Sequence, residues 1–166
     1  MDIYNDDRVV LTLDAGGTNF VFTAFQKGQS IADEIRMDSH GDDLEKCIAT
    51  LKAGFHQVMD ELKEKPIAIS FAFPGPADYH NGIIGDLNNL TAFRGGVPLK
   101  AVLEEEFKLP VYINNDGDLY AYGEALAGIL PEINGKLEAA GSPKRYRNLV
   151  GLTLGTGFGG GLVRNE

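Results

Sequence analysis

Apolar and polar positions alternate along the first part of the chain, so residues 8–14 and 19–26 read as strands. Lys27-Gly28-Gln29 forms a turn between the second strand and a third, Ile31 to Met37, which gives an antiparallel meander. The period then changes. Ser39 to Asp43 supplies capping side chains and acids, and Leu44, Cys47, Ile48, Leu51, Phe55, Val58, Met59 and Leu62 recur at steps of three and four. That spacing predicts a helix to about Lys65, stopped by Pro66, with His56 as an ordinary side chain within it. Ile67 to Phe73 is a short apolar strand expected to be buried. The long segment from Pro74 to about Val97 is a loop, and Ile83, Ile84, Leu87, Leu90 and Phe93 within it predict an ordered, packed one. Pro98 suits the first turn of a helix through Lys108, and Val111 to Ile113 is a strand. A helix follows from Asn114-Asn115-Asp116 to Gly128. Leu130 to Asn148 is polar, and its basic cluster Lys144, Arg145 and Arg147 reads as solvated surface. Leu149 to Val163 reads as strand, glycine-rich turn and strand.

Strands interleaved with helices make this an α/β chain. With 166 residues, 43% of them hydrophobic, it can build a sizeable core. The formal net charge of −9, with no long Lys/Arg-rich run, makes nucleic acid and anionic membrane poor partners for the bulk surface. Cys47 stands alone, so neither an internal disulfide nor a cysteine-built zinc cluster can form. The N-terminus is acidic and lacks the basic and long apolar regions of a secretory signal, and no stretch approaches the roughly 20 apolar residues of a membrane span. A cytoplasmic location is the expectation.

The stretch Leu11 to Phe20 combines these elements with candidate chemistry. An apolar run ends in Asp14; Ala15, Gly16, Gly17 and Thr18 follow, and a second run begins at Asn19 and Phe20. An ordinary hairpin needs turn glycines only for their positive φ. A metal-bound phosphate needs more: an oxygen ligand for Mg²⁺ or its waters, and N–H or hydroxyl donors for phosphate oxygens. This stretch offers both, and on its residues alone both readings stand. It has an echo. Leu152-Thr153-Leu154 runs into Gly155-Thr156-Gly157 much as Leu11-Thr12-Leu13 runs into the first turn. The match is short enough for coincidence, but a duplicated fold accounts for it better, with two hairpin turns facing one phosphate site. Gly155 to Gly160 also fits G-x-G-x-x-G, yet an apolar strand follows it rather than a helix, which argues against a dinucleotide fold. The chain contains neither a G-x-x-x-x-G-K-[ST] loop nor the signature residues of protein kinases.

Four segments, in order, resemble the ROK family (repressor, open reading frame, kinase) of the sugar kinase, Hsp70 and actin superfamily. Asp14-Ala15-Gly16-Gly17-Thr18-Asn19 looks like its first phosphate motif. Phe73-Pro74-Gly75-Pro76 with Asn88-Asn89-Leu90 looks like its sugar-site segments. Asn115-Asp116 followed by Gly123-Glu124 looks like its catalytic motif, and Leu154 to Gly161 like its second phosphate motif. The resemblance implies a ribonuclease-H-like (actin-like ATPase) lobe, with a mixed β-sheet flanked by helices. It also implies transfer of the γ-phosphoryl group of ATP to a hexose or amino-hexose hydroxyl. Asp116 would be the general base; a bare N-cap is the alternative for an Asp at a helix start. Asn115, Asn89 and Gly75 would contact the sugar. Asp14 would hold Mg²⁺ through water, while Gly16, Gly17, Thr18, Asn19, Gly155, Thr156 and Gly157 would serve the nucleotide phosphates. The family commonly forms homodimers.

The departures matter as well. Gly117 and Asp118 stand where the family usually has a small residue and Asn, and the stretch around 130–146 reads as an insertion. The family's cysteine-rich zinc motif, and the His and Glu that complete its sugar site, lie beyond the second phosphate motif and are not in this sequence. The expected organisation is therefore an N-terminal lobe over residues 1–147 and, over 148–166, the opening hairpin of a truncated second lobe. Such a fragment is expected to be inactive alone. The rival reading is the sugar-sensing domain of a ROK-type transcriptional regulator; the presence of Asp116 and the acidic charge favour the kinase.

Overall fold

The structure, a computed structural model, describes residues 3–87, 90–154 and 158–164. It falls into two compact units, Met1–Ile113 and Asn114–Glu166. In the first, β1 (Val10–Ala15) and β2 (Asn19–Gln26) pair antiparallel, with Leu13 opposite Phe22 and Leu11 opposite Ala24. Alternation puts these four residues on one buried face. The expected third strand is instead two short ones, β3 (Gln29–Ser30) and β4 (Ile35–Asp38), both paired to β2. Between them the Ala32 carbonyl accepts hydrogen bonds from the Thr23 and Ser30 hydroxyls, each at 3.0 Å, which draws the chain off the ladder. Asp33 and Glu34 have little preference for strand to oppose this.

Helix α1 (Leu44–Glu61) lies against the sheet through Cys47, Leu51, Gly54, Phe55 and Val58. Its N-cap is Asp43, whose side chain accepts from the Lys46 amide at 3.2 Å. It ends before Lys65 because Leu62 turns extended, which lets the Ile67 amide reach the Val9 carbonyl at 2.9 Å. Strand β5 (Ala68–Ala72) then pairs parallel to β1, so the sheet is mixed. The described residues of the Pro74–Val97 segment carry short elements of their own. Strands β6 (Ala77–Asp78) and β7 (Ile83–Ile84) make a small hairpin, and a single 3₁₀ turn covers Thr91–Phe93. Ile84, Leu87, Leu90 and Phe93 are buried as expected, while Ile83 faces outward on the hairpin's other side. Helix α2 (Leu99–Phe107) leads to β8 (Val111–Asn114). Among the described residues the sheet has six strands, ordered β3-β2-β1-β5-β8 with β4 also on β2. Aromatic rings join the sheet, the helices and the loop: Phe22 of β2 to Phe55 of α1 at 5.1 Å, Phe55 to Phe107 of α2 at 5.7 Å, and Phe73, just after β5, to Phe93 at 5.3 Å. His56 is an ordinary surface residue, bonded to Glu106 at 3.0 Å and tilted against the Phe107 ring at 4.7 Å.

The second unit holds α3 (Asp116–Leu126), α4 (Ile129–Ala139) and the antiparallel hairpin of β9 (Leu149–Leu154) and β10 (Phe158–Val163). Helix α4 lies where the sequence predicts only a polar stretch. Pro131 sits in its first turn, where a missing N–H breaks no helical bond, and the Glu124 carboxylate accepts the Ile129 amide at 2.8 Å. Glycine lets the hairpin lie directly on α3. A Cβ on Gly161 would fall 2.8 Å from Asp118 Cα, and one on Gly151 would fall 2.8 Å from Ala121 Cβ. Lys144, Arg145 and Arg147 are exposed, as expected. No helix among the described residues is long and apolar enough to cross a membrane.

Candidate functional site

Asp14, Gly16, Gly17, Thr18 and Asn19 come together at the β1–β2 connection. Asp14 is exposed near the end of β1, and Gly17 and Thr18 form the exposed tip. The described glycines with positive φ are Gly28, Gly82, Gly95, Gly96 and Gly141, and neither glycine of this turn is among them. Positive φ is therefore not what the glycines of this turn supply. Gly16 is needed for close approach instead: its amide donates to the Asn19 carbonyl at 3.0 Å, and a Cβ would stand 2.8 Å from that same oxygen.

Ser39 braces the turn. Its amide donates to the Thr18 carbonyl at 2.9 Å and its hydroxyl to the Gly17 carbonyl at 2.8 Å. The sequence reading placed Ser39 among helix-capping side chains; the cap is Asp43, and Ser39 faces the glycine turn. Its neighbourhood to that turn arises from the β2–β4 pairing of Asn19 with Asp38 and leaves no local sequence signal. Beside the turn lies an open hollow of about 370 Å³, lined by Gly17 and Thr18, by the run 38–42 and by Thr91. Its lining holds no Lys or Arg; it holds His40, 3.6 Å from the Asp38 carboxylate, and Asp42, while the turn itself offers backbone N–H groups and the Thr18 hydroxyl.

Among the described residues no group of three His, Cys, Asp or Glu could hold a metal. Mg²⁺ does not require one, since it keeps several waters and binds through one or two carboxylates together with substrate phosphates. An exposed Asp14 next to a turn too tight for a side chain at Gly16 fits that mode.

Gly75 is exposed, at the cis Gly75–Pro76 bond that opens the β5–β6 connection. Asn89, Gly155, Thr156 and Gly157 lie outside the described residues.

In the second unit, Asn115 and Asp116 are adjacent at the start of α3. Asn115 is the N-cap: its Oδ1 accepts the Gly117 amide at 2.9 Å and the Asp118 amide at 3.4 Å. Asp116 is therefore the first residue of the helix proper, and its carboxylate is exposed, with Oδ1 also accepting the Gly117 amide at 2.9 Å. Asn115 and Asp116 thus share the Gly117 amide, and Asn115 alone reaches the Asp118 amide. Gly117 is buried, and a Cβ there would lie 2.9 Å from the Gly160 amide nitrogen. Gly117, the small residue after Asp116, is thus the point where the first turn of α3 meets β10.

Comparison with known proteins accords with this architecture. The chain is 33% identical over 150 residues to an N-acetyl-D-glucosamine kinase of Vibrio cholerae, covering 90% of this chain and 44% of that protein. It is 32% identical over 167 residues to a glucokinase of Halalkalibacterium halodurans, covering 96% and 45%. The crystal structure of a glucokinase from Parabacteroides distasonis superposes with a TM-score of 0.89 at 60% identity, covering 99% of this chain and 46% of that one. The chain thus spans about half the length of the relatives it matches. A mixed sheet flanked by helices is the actin-like fold of these kinases, and the ROK family model matches residues 10–166. With the fold and nearly the whole sequence in agreement, the chain belongs to the ROK family.

Proposed function

We propose that this chain is the N-terminal half of an ATP-dependent hexose kinase. One observation carries the reading: Asn115 caps α3 and leaves Asp116 as an exposed carboxylate on the helix's first turn. A carboxylate so held can take the proton of a sugar hydroxyl as that oxygen attacks the γ-phosphorus. The new O–P bond forms on the sugar, the bond to the β-phosphate oxygen breaks, and ADP leaves. Asn115, Gly75 and Asn89 are assigned to the sugar. The turn of Gly16, Gly17, Thr18 and Asn19, with Gly155, Thr156 and Gly157, is assigned to the nucleotide phosphates. Asp14 is assigned to the waters of Mg²⁺, which when bound offsets charge on the transferring phosphoryl group. In such chemistry positioning and charge stabilisation supply most of the rate, and backbone donors in a tight turn are suited to both.

Residues 1–147 form the N-terminal lobe in this reading, and 148–166 open a second. The hairpin supports that: Val150, Leu152, Leu154, Phe158 and Leu162 are each more than half exposed, at 67%, 58%, 84%, 73% and 63%. An apolar surface of this kind is expected where further chain packs. The names of its relatives leave glucose and N-acetylglucosamine as the leading acceptors.

A coupled assay over a panel of hexoses tests the assignment. A full-length protein carrying this lobe is expected to consume ATP with one of these sugars, and the 166-residue chain alone to show negligible turnover. Asp116→Asn should lower kcat by about 10²–10⁴-fold with sugar and nucleotide still bound. Sugar binding without any turnover by the full-length protein would favour the regulator instead, and wild-type rates in Asp116→Asn would sink the role of Asp116.

A further inference from the structure

We infer that Ser39 is a positioning residue for the nucleotide-phosphate turn, which it sets by fixing the Gly17–Thr18 peptide. The inference rests on the proposed kinase reading for the identity of the ligand. Among the described residues Ser39 is the buried polar side chain, only 1% exposed. A buried hydroxyl is costly to keep unless it is hydrogen-bonded, and a small apolar residue would fill the same space without that cost. Its hydroxyl donates to Gly17 O at 2.8 Å and its amide to Thr18 O at 2.9 Å. The hydroxyl takes no part in capping α1, which Asp43 does.

The geometry has a direct consequence. In a trans peptide the C=O of one residue and the N–H of the next point in opposite directions. Holding the Gly17 carbonyl on the buried Ser39 therefore turns the Thr18 N–H away from it, toward the exposed side of the turn. Gly17 has no side chain to restrain that plane, so without the Ser39 hydroxyl the peptide can rotate and the donor direction is lost. Ser39 is itself held firmly. The chain turns left-handed at the next residue, His40 (φ 47°), whose amide donates to Asp38 Oδ1 at 2.8 Å. One residue further, Gly41 O accepts the Ala92 amide at 2.9 Å. A donor aimed in advance at a phosphate oxygen needs no reorganisation when the phosphate arrives.

The test uses the full-length protein labelled with ¹⁵N-threonine, titrated with MgATP, beside steady-state kinetics of the wild type and Ser39→Ala. In the wild type the Thr18 amide resonance is expected to move on adding MgATP. In Ser39→Ala the KM for ATP should rise about tenfold, the scale of one lost neutral hydrogen bond, with the KM for the hexose unchanged. Equal KM values for ATP in the two proteins would overturn the inference, as would a parallel rise for both substrates. A Thr18 amide indifferent to MgATP in the wild type overturns it too, and that readout stands even where Ser39→Ala fails to fold. A Thr18 amide that responds to MgATP in the wild type and less in Ser39→Ala, in a protein that phosphorylates no sugar, supports the inference and sinks the kinase reading. Full kinase activity with an unaltered Ser39→Ala does the reverse.

Discussion

Asn115 and Asp116 are adjacent and chemically alike, yet the fold gives them different work. The Asn115 side chain occupies the cap position, and the next residue stands on the helix, where one carboxylate oxygen shares the Gly117 amide and the side chain is exposed. Ser39 shows the same dependence on place. Its neighbours in sequence suggest a helix start, but its bonds go to a turn more than twenty residues earlier, 22 in the case of the Gly17 carbonyl. Cys47 is a third case. It is wholly buried in α1, and burial pushes its thiol up to about 12 from the ordinary 9.0. The sign follows from linkage. A neutral thiol favoured by the fold contributes stability that is complete below the unfolded value of 9.0 and is lost as pH rises from there toward about 12. Urea unfolding of the wild type and Cys47→Ala at pH 7 and pH 11 checks this. The wild type should lose ground to the variant at the higher pH, and a constant difference would contradict it.

At the scale of elements, α1 was legible because its apolar residues keep a helical period and Asp43 precedes them. Gly54 was not legible as a packing residue. A Cβ there would stand 2.3 Å from Phe22 Cε2, and Phe22 is itself fully buried against Phe20 and Phe55. Two effects oppose each other in Gly54→Ala. Removing a mid-helix glycine favours the helix by about 1 kcal/mol. Forcing a methyl into a filled core costs about 1–3 kcal/mol. The ring has no open side to move toward, so overpacking should win and the variant should unfold at a lower urea midpoint than the wild type. A higher midpoint would show that Phe22 yields. The elements that sequence reading misplaced share one feature: side chains decide them. Thr23 and Ser30 break the third strand by holding Ala32, and Glu124 starts α4 by accepting the Ile129 amide.

The two units of the whole molecule differ in what holds them. Among the described residues the principal hydrophobic core runs from Val9 to Ile113. Among the described residues from Asn114 on, the buried hydrophobic side chains are Ala121 and Leu130. Hydrogen exchange of the 166-residue chain should reflect this, with amides of α3, α4, β9 and β10 exchanging through openings that leave β1, β2 and β5 protected. Equal protection across both units would contradict the comparison.

Local rules were enough for much of this protein. Strand alternation, helical period and the ends marked by Pro66, Pro98 and Asn115 belong to neighbouring residues, so the α/β class, the first hairpin and the family motifs could be read from the chain alone. Contacts between residues far apart could not. Ser39 meets the Gly17–Thr18 turn because β4 pairs with β2, and Gly117 meets Gly160 because the second hairpin lies on α3. Periodicity records which face of an element is apolar. It does not record which backbone that face will meet, and in this molecule that meeting sets Ser39 on the glycine turn and β10 on Gly117.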